Sequence, residues 1–119
     1  MTKAGRSLFI FGIYTIFNGI GLLLIPNVFL SLFGMPPANE IWVRVAGWLI
    51  CVLGFYYTVS GRQNNTPFIR LTVYGRASVF VFYFAIVLLG LTKPIILVVG
   101  LIDLLSAIWT ITALRSDGA

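Results

Sequence analysis

Four long apolar runs, separated by short polar segments, dominate the pattern of the chain. The runs cover about residues 7–25, 41–60, 68–91 and 95–114. Each matches the roughly 20 apolar residues that a helix needs to cross the hydrocarbon core of a bilayer. Gly61 with the polar residues 62–66, and Gly90 with Thr92, Lys93 and Pro94, supply the helix ends and turns between the later runs. The pattern predicts an all-α, four-helix transmembrane bundle.

The segment between the first two runs behaves differently. Residues 27–37 are too few to cross a bilayer and too apolar for an ordinary loop. Pro26 stops the first run, Asn27 is a good helix cap, and Gly34 can end a short helix. We therefore predict a short interfacial helix between spans one and two. An ordered loop packed over the bundle is the alternative.

Composition places the chain among membrane proteins. It is 60% hydrophobic and only 9% charged, with a mean hydropathy of +1.04, whereas soluble domains carry about 25% charged residues. A soluble domain of this size could not bury so much apolar surface. No linker or low-complexity stretch interrupts residues 1–119, so we expect a single transmembrane domain. With no histidine and one cysteine, the chain lacks the usual ligands of transition metals, and we predict no metal and no cofactor.

The basic residues are distributed unevenly about the four spans. The formal net charge is +5, which in a soluble protein would suggest nucleic-acid binding, but topology explains it better. The side that carries both termini holds five basic residues: Lys3, Arg6, Arg62, Arg70 and Arg115. The opposite side holds two, Arg44 and Lys93. By the positive-inside rule both termini should be cytoplasmic. We predict a multi-pass protein of the inner membrane, with the lipid bilayer as its partner and no nucleic acid.

Asp103 is the ninth residue of the last span and is surrounded by aliphatic residues. A carboxylate inside a bilayer is costly and needs a partner, a cavity or a proton. At about 1.5 Å of rise per residue it lies about 12 Å below the outer face, level with Asn18, Tyr83 and Trp48 on the other spans. We expect these side chains to surround it.

Two arginines are candidate partners of this acid. Arg44 is about one helical turn from the level of Asp103 and is the preferred partner, although Glu40 precedes it by four residues and could share it. Arg76 is about 9 Å deeper and would need a water or Tyr83 between. The predicted cluster is therefore Asp103, Arg44, Arg76, Glu40, Asn18, Tyr83 and Trp48. It could be a structural ion pair that fixes helix register, a ligand or proton site, or a contact with another subunit.

Small residues form stripes at helical spacing on two spans. Span two carries Gly47, Cys51 and Gly54, and span four carries Gly100, Ala107 and Thr110 beside Asp103. Such stripes allow helices to approach closely in lipid. They predict packing within the bundle in preference to a homodimer face, and Cys51 is interpreted as a small packing residue.

Parts of the second half resemble a known group. The segments 44–47, 53–57, 74–76 and 103–110 are similar to those of uncharacterised small bacterial four-helix integral membrane proteins, loosely DoxX-like. The resemblance covers about residues 26–115. It implies a bacterial inner-membrane protein and supplies no activity.

Motifs of catalysis are missing from the sequence. There is no phosphate-binding glycine loop, no CxxC pair and no histidine to act as acid or base, so we predict no catalytic residue. An enzyme that acts on a lipid is the least favoured of three hypotheses. The favoured hypothesis is an accessory or interaction subunit in the membrane, with a membrane protein or a second copy as partner. The alternative is a protein that binds or transports a lipophilic small molecule or lipid in a pocket around Asp103 and Arg44.

Overall fold

The computed structural model describes residues 1–118, which form five helices. These are α1 (Lys3–Leu24), α2 (Pro26–Leu32), α3 (Ile41–Arg62), α4 (Thr66–Leu88) and α5 (Ile96–Ser116). All except α2 are long and apolar enough to cross a membrane. The prediction of an all-α, four-helix bundle with a short helix between spans one and two is confirmed. The first helix begins earlier than expected, because the Thr2 hydroxyl accepts a hydrogen bond from Gly5 N at 3.0 Å and caps it.

Large apolar side chains cover the outside of the bundle. Phe17 is 75% exposed and Leu32 76% exposed, and similar residues occur along every long helix. Such a surface would be unstable in water, whereas it matches the hydrocarbon core of a bilayer. The chain therefore has the architecture of a multi-pass membrane protein.

An array of glycines joins α1 to α3 in antiparallel packing. A Cβ added to Gly12 would lie 2.8 Å from the backbone N of Thr58 and 3.0 Å from the carbonyl oxygen of Gly54. Equally close contacts occur seven residues before and seven residues after Gly12. Three pairs of glycines therefore face one another across the two helices: Gly5 with Gly61, Gly12 with Gly54 and Gly19 with Gly47. Only glycine permits this approach of two backbones. We call these six residues the glycine seam.

Cys51 lies within the same contact. Its Sγ is 3.8 Å from the carbonyl oxygen of Ile16, and a Cβ on Gly19 would lie 2.6 Å from that sulfur. The stripe of Gly47, Cys51 and Gly54 therefore packs against α1 inside the bundle, as the sequence predicted.

The helices are arranged in the order α3, α1, α5, α4. Helix α1 packs against α3 on one side and α5 on the other, and α5 packs against α4. Helices α3 and α4 are joined by residues 63–65, yet they touch little. They meet near this loop, where the rings of Tyr57 and Phe68 lie 6.2 Å apart, and they separate beyond it. A gap therefore remains between α3 and α4.

Helix α2 folds back over the end of the bundle that lies farther from the termini. Pro26 begins it, and the ring of Phe29 packs on α1 where Gly21 leaves room, since a Cβ there would lie 2.5 Å from the ring. The predicted role of Asn27 as helix cap is wrong: Ile25 occupies the cap position. The Asn27 side chain instead accepts a hydrogen bond from Ala38 N at 2.9 Å. It holds the following loop in place.

The two ends of the chain are tied together at the other end of the bundle. The Asp117 carboxylate accepts from the backbone N–H groups of Lys3 at 3.3 Å and Ala4 at 3.0 Å. Thr2 N donates to the Asn64 side chain at 2.7 Å. Both described chain ends and the α3–α4 loop therefore lie on one side, which is the arrangement that four crossings require.

Candidate functional site

A cavity of about 440 Å³ occupies the space between α3 and α4. Helices α1 and α5 form its floor, and α2 with the following loop closes one end. Most of the wall is apolar. It comes from all five helices and from the segment after α2, namely Phe11, Leu22, Phe29, Leu30, Phe33, Met35, Ile50, Leu53, Gly75, Val79, Ile96 and Val99. Gly75 lies on the open side, where an added Cβ would meet no atom within 4 Å.

A smaller group of polar side chains also lines this cavity. They are Tyr14, Thr15, Asn18, Tyr57, Arg76, Tyr83 and Asp103. They come from α1, α3, α4 and α5, so the polar wall forms only when the bundle is assembled. Apolar walls with a few convergent polar groups are the usual form of a small-molecule site.

Asp103 brings an unpartnered carboxylate to the cavity. The Ser106 hydroxyl donates to the backbone carbonyl of Asp103 at 2.7 Å, and no hydrogen bond within residues 1–118 reaches the Asp103 carboxylate. Every fully buried side-chain polar atom among the described residues has a partner. The carboxylate oxygens are therefore open to the cavity, where they can accept hydrogen bonds from an occupant.

Arg76, by contrast, is held in place by the protein. Its side chain is 2% exposed. It donates through Nε to the Thr72 carbonyl at 3.2 Å, through Nη1 to Ser106 Oγ at 3.2 Å, and through Nη2 to the hydroxyls of Thr72 at 3.2 Å and Thr110 at 2.9 Å. Four of the five N–H donors of a guanidinium are thus used. All four acceptors are neutral oxygens, so none of them cancels the positive charge.

Aromatic rings help to accommodate this charge. The Arg76 Cζ atom lies 4.9 Å from the centre of the Phe11 ring, in cation–π geometry. The Phe11 ring lies 5.8 Å from that of Tyr57 and 5.7 Å from that of Tyr14. Arg76 is therefore a fixed cation at the wall of the cavity, with Asp103 as the acid that shares the cavity with it.

The structure brings together four of the seven residues predicted as a cluster. Asp103, Arg76, Asn18 and Tyr83 all line the cavity. Their function as a site stays a prediction, but their proximity supports the expectation that the other spans shelter Asp103.

The other three predicted residues lie elsewhere. Arg44, the preferred partner of Asp103, is exposed and donates through Nη1 to the Leu23 carbonyl at 2.6 Å, at the end of α1. Glu40 occupies the N-cap position of α3 without a side-chain capping bond. Trp48 is 59% exposed on the outer surface. Depth along a helix can be counted from sequence, whereas the direction in which a side chain projects depends on how the helix is rotated in the bundle.

Sequence reasoning also missed residues that position the site. Thr72 and Ser106 hold the guanidinium of Arg76, and Phe29 supplies part of the end wall. Thr72 lies four residues before Arg76, on the same helical face. That spacing was the available signal. The sequence contains no such signal for Ser106, because Ser106 lies on a different helix from Arg76.

Comparisons of the chain with protein-family models, with curated proteins and with solved structures give no match. The resemblance to DoxX-like bacterial membrane proteins therefore stays a prediction.

Proposed function

We propose that the protein binds an amphipathic lipophilic molecule in the cavity between α3 and α4. The observation that carries this proposal is the unpartnered carboxylate of Asp103 at the wall of a largely apolar space of about 440 Å³. Small-molecule pockets typically measure roughly 300–1,000 Å³. The apolar part of the ligand lies among the aliphatic and aromatic walls, and its polar group reaches Asp103.

The two charged residues favour a particular polar group. Arg76 is engaged by four neutral acceptors and packed against Phe11, so it has little freedom to turn toward a ligand. Asp103 has no such restraint and can only accept hydrogen bonds when ionised. A ligand whose polar group is an amine complements this wall, because the amine can donate hydrogen bonds to the Asp103 carboxylate. A hydroxyl can donate in the same way without carrying a charge. An anionic group would meet repulsion from Asp103.

The gap between α3 and α4 offers a route from the bilayer. The two helices meet at Tyr57 and Phe68 and separate beyond them. A lipophilic molecule dissolved in the membrane can reach the cavity sideways, without crossing water. Binding of this kind suits a carrier or sensor of membrane-soluble amphiphiles.

The experiment uses three probes with the same chain and different polar groups: dodecylamine, dodecanol and dodecanoate. Binding to the purified protein in nanodiscs is measured by titration calorimetry. We expect dodecylamine to bind most tightly and dodecanoate least. Asp103→Asn should weaken dodecylamine binding roughly tenfold, the effect of losing one charge-assisted hydrogen bond, and should leave dodecanol nearly unchanged.

Asp117→Asn is the matched control, because it removes the same charge outside the cavity. It should leave the order of the three probes intact. Equal binding of the three probes, or an equal loss of dodecylamine and dodecanol in Asp103→Asn, would show that Asp103 does not bind the ligand.

We also propose an orientation of the protein in its membrane. Basic residues are concentrated at the end that carries the chain termini, which supports an orientation with both termini in the cytoplasm. A bacterial inner membrane rests on the resemblance to DoxX-like proteins. The role of accessory or interaction subunit, with a membrane protein or a second copy as partner, stays a prediction. The cavity favours ligand binding over it.

A further inference from the structure

A second concavity lies outside the bundle, between the start of α1 and the end of α5. It measures about 400 Å³ and is lined by Lys3, Arg6, Trp109, Thr112, Ala113 and Ser116. We call these six residues the basic cleft. It shares no residue with the cavity between α3 and α4, so whatever it binds is independent of the ligand proposed above.

The cations of the cleft are available to an anion. Lys3 Nζ donates to Ser116 Oγ at 2.9 Å, which fixes its position and leaves two of the three ammonium donors unused. Arg6 is exposed, and no hydrogen bond within residues 1–118 reaches its side chain. The acid at this end, Asp117, is engaged with the backbone N–H groups of Lys3 and Ala4. The cleft itself contains no acidic side chain.

The cleft changes from polar to apolar along the bundle. Lys3, Arg6 and Ser116 lie at the helix ends, where the polar region of a bilayer meets the protein. Trp109 is seven residues before Ser116 on α5, which places it about 10 Å deeper. The small side chain of Ala113 lies between these levels. Tryptophan favours the boundary between headgroups and hydrocarbon.

We infer that the basic cleft binds an anionic phospholipid, with the phosphate between Lys3 and Arg6 and an acyl chain along Trp109. A free anion would use only the upper part of the cleft. A phospholipid matches both its charge and its gradient of polarity, and basic pockets between membrane helices suit such headgroups. The bound lipid joins the first and last crossing helices from outside.

The test uses Trp109 as the reporter. The chain has three tryptophans, and the variant Trp42→Phe/Trp48→Phe leaves Trp109 alone. This protein is placed in nanodiscs in which either phosphatidylglycerol or phosphatidylcholine carries brominated chains at equal mole fraction, and quenching of Trp109 is measured. We expect brominated phosphatidylglycerol to be preferred at Trp109 roughly thirtyfold, since Lys3 and Arg6, as basic residues near the surface, contribute about 1 kcal/mol each.

In the same background, Lys3→Gln/Arg6→Gln should reduce this preference to about twofold or less. The control Arg62→Gln/Arg70→Gln removes the same charge from the same side of the bundle, away from the cleft, and should retain the preference. Arg6→Gln alone serves as a second variant, because the Arg6 side chain makes no hydrogen bond within residues 1–118 on which folding could depend. The logarithm of the preference for phosphatidylglycerol should fall by about half in this single variant.

Three outcomes would overturn the inference. Equal quenching by the two brominated lipids would show that no anionic lipid is selected. An equal loss in the control variant would assign the preference to general surface charge. Reversal of quenching by excess inorganic phosphate would identify the occupant as a free anion and not a lipid.

Discussion

The hydroxyl of Thr110 lies 2.9 Å from Nη2 of Arg76 and accepts its hydrogen bond. The same hydroxyl is 2.8 Å from Ser7 Oγ. One oxygen therefore connects α4, α5 and α1 beneath the cavity, where Thr110 and Ser7 are fully buried. Arg76 keeps its position at the cavity wall because the helices that supply its acceptors are joined in this way.

Replacing Thr110 tests this connection. Thr110→Val preserves the shape of the side chain but removes the acceptor of Arg76 and the partner of Ser7. The Ser7 hydroxyl donates to the Ala4 carbonyl, so Thr110 donates to Ser7 Oγ. Leaving one buried N–H of Arg76 without its acceptor, and Ser7 Oγ without its donor, should lower the free energy of unfolding by about 1–3 kcal/mol. Thr112→Val is the matched control, because the exposed Thr112 hydroxyl bonds only to the Trp109 carbonyl of its own helix. Thermal unfolding in detergent compares the two; equal stability would contradict the connecting role of Thr110.

The glycine seam makes a second prediction. Gly12→Ala places a Cβ 2.6 Å from the Thr58 hydroxyl and 2.8 Å from its backbone N, so α1 and α3 must move apart. Overpacking of this kind should cost about 1–3 kcal/mol. Gly75→Ala introduces the same methyl group where no atom lies within 4 Å, and should stabilise α4 by up to about 1 kcal/mol. A similar response of the two variants in thermal unfolding would show that the seam does not limit the approach of the helices.

The proposed orientation can be checked by cysteine labelling. In a Cys51→Ser background, Gln63→Cys and Lys93→Cys place exposed thiols at opposite ends of the bundle. We expect a membrane-impermeant maleimide to label Lys93→Cys on intact bacterial cells and Gln63→Cys only after permeabilisation, because the basic residues lie at the Gln63 end. The reverse pattern would place the termini outside.

The pattern of the sequence was sufficient to predict the fold class. Hydrophobic run lengths gave the number of long helices, and Pro26 with Gly34 marked the short one. The pairing of α1 with α3 could not be predicted as directly. The glycines of α1 occur seven residues apart, as do those of α3, but nothing in one helix states which other helix it faces. That choice depends on the assembled bundle.

The site was less predictable than the fold, and Arg44 shows why. Its level along the bundle made it a plausible partner for Asp103, but the rotation of α3 directs Arg44 to the carbonyl of Leu23. Arg76 was assigned a lesser role because of its depth, yet it lines the cavity with Asp103. A long side chain can cross one helical turn, whereas it cannot pass around its own helix.

Filling the cavity is the most direct test of the central claim, that an amphiphile binds between α3 and α4. Val79 lines the cavity, and Val81 on the same helix is 66% exposed on the outer surface. Val79→Trp should abolish calorimetrically measured dodecylamine binding in nanodiscs, while Val81→Trp should bind as the unmodified chain does. Equal binding by the two variants would contradict the claim.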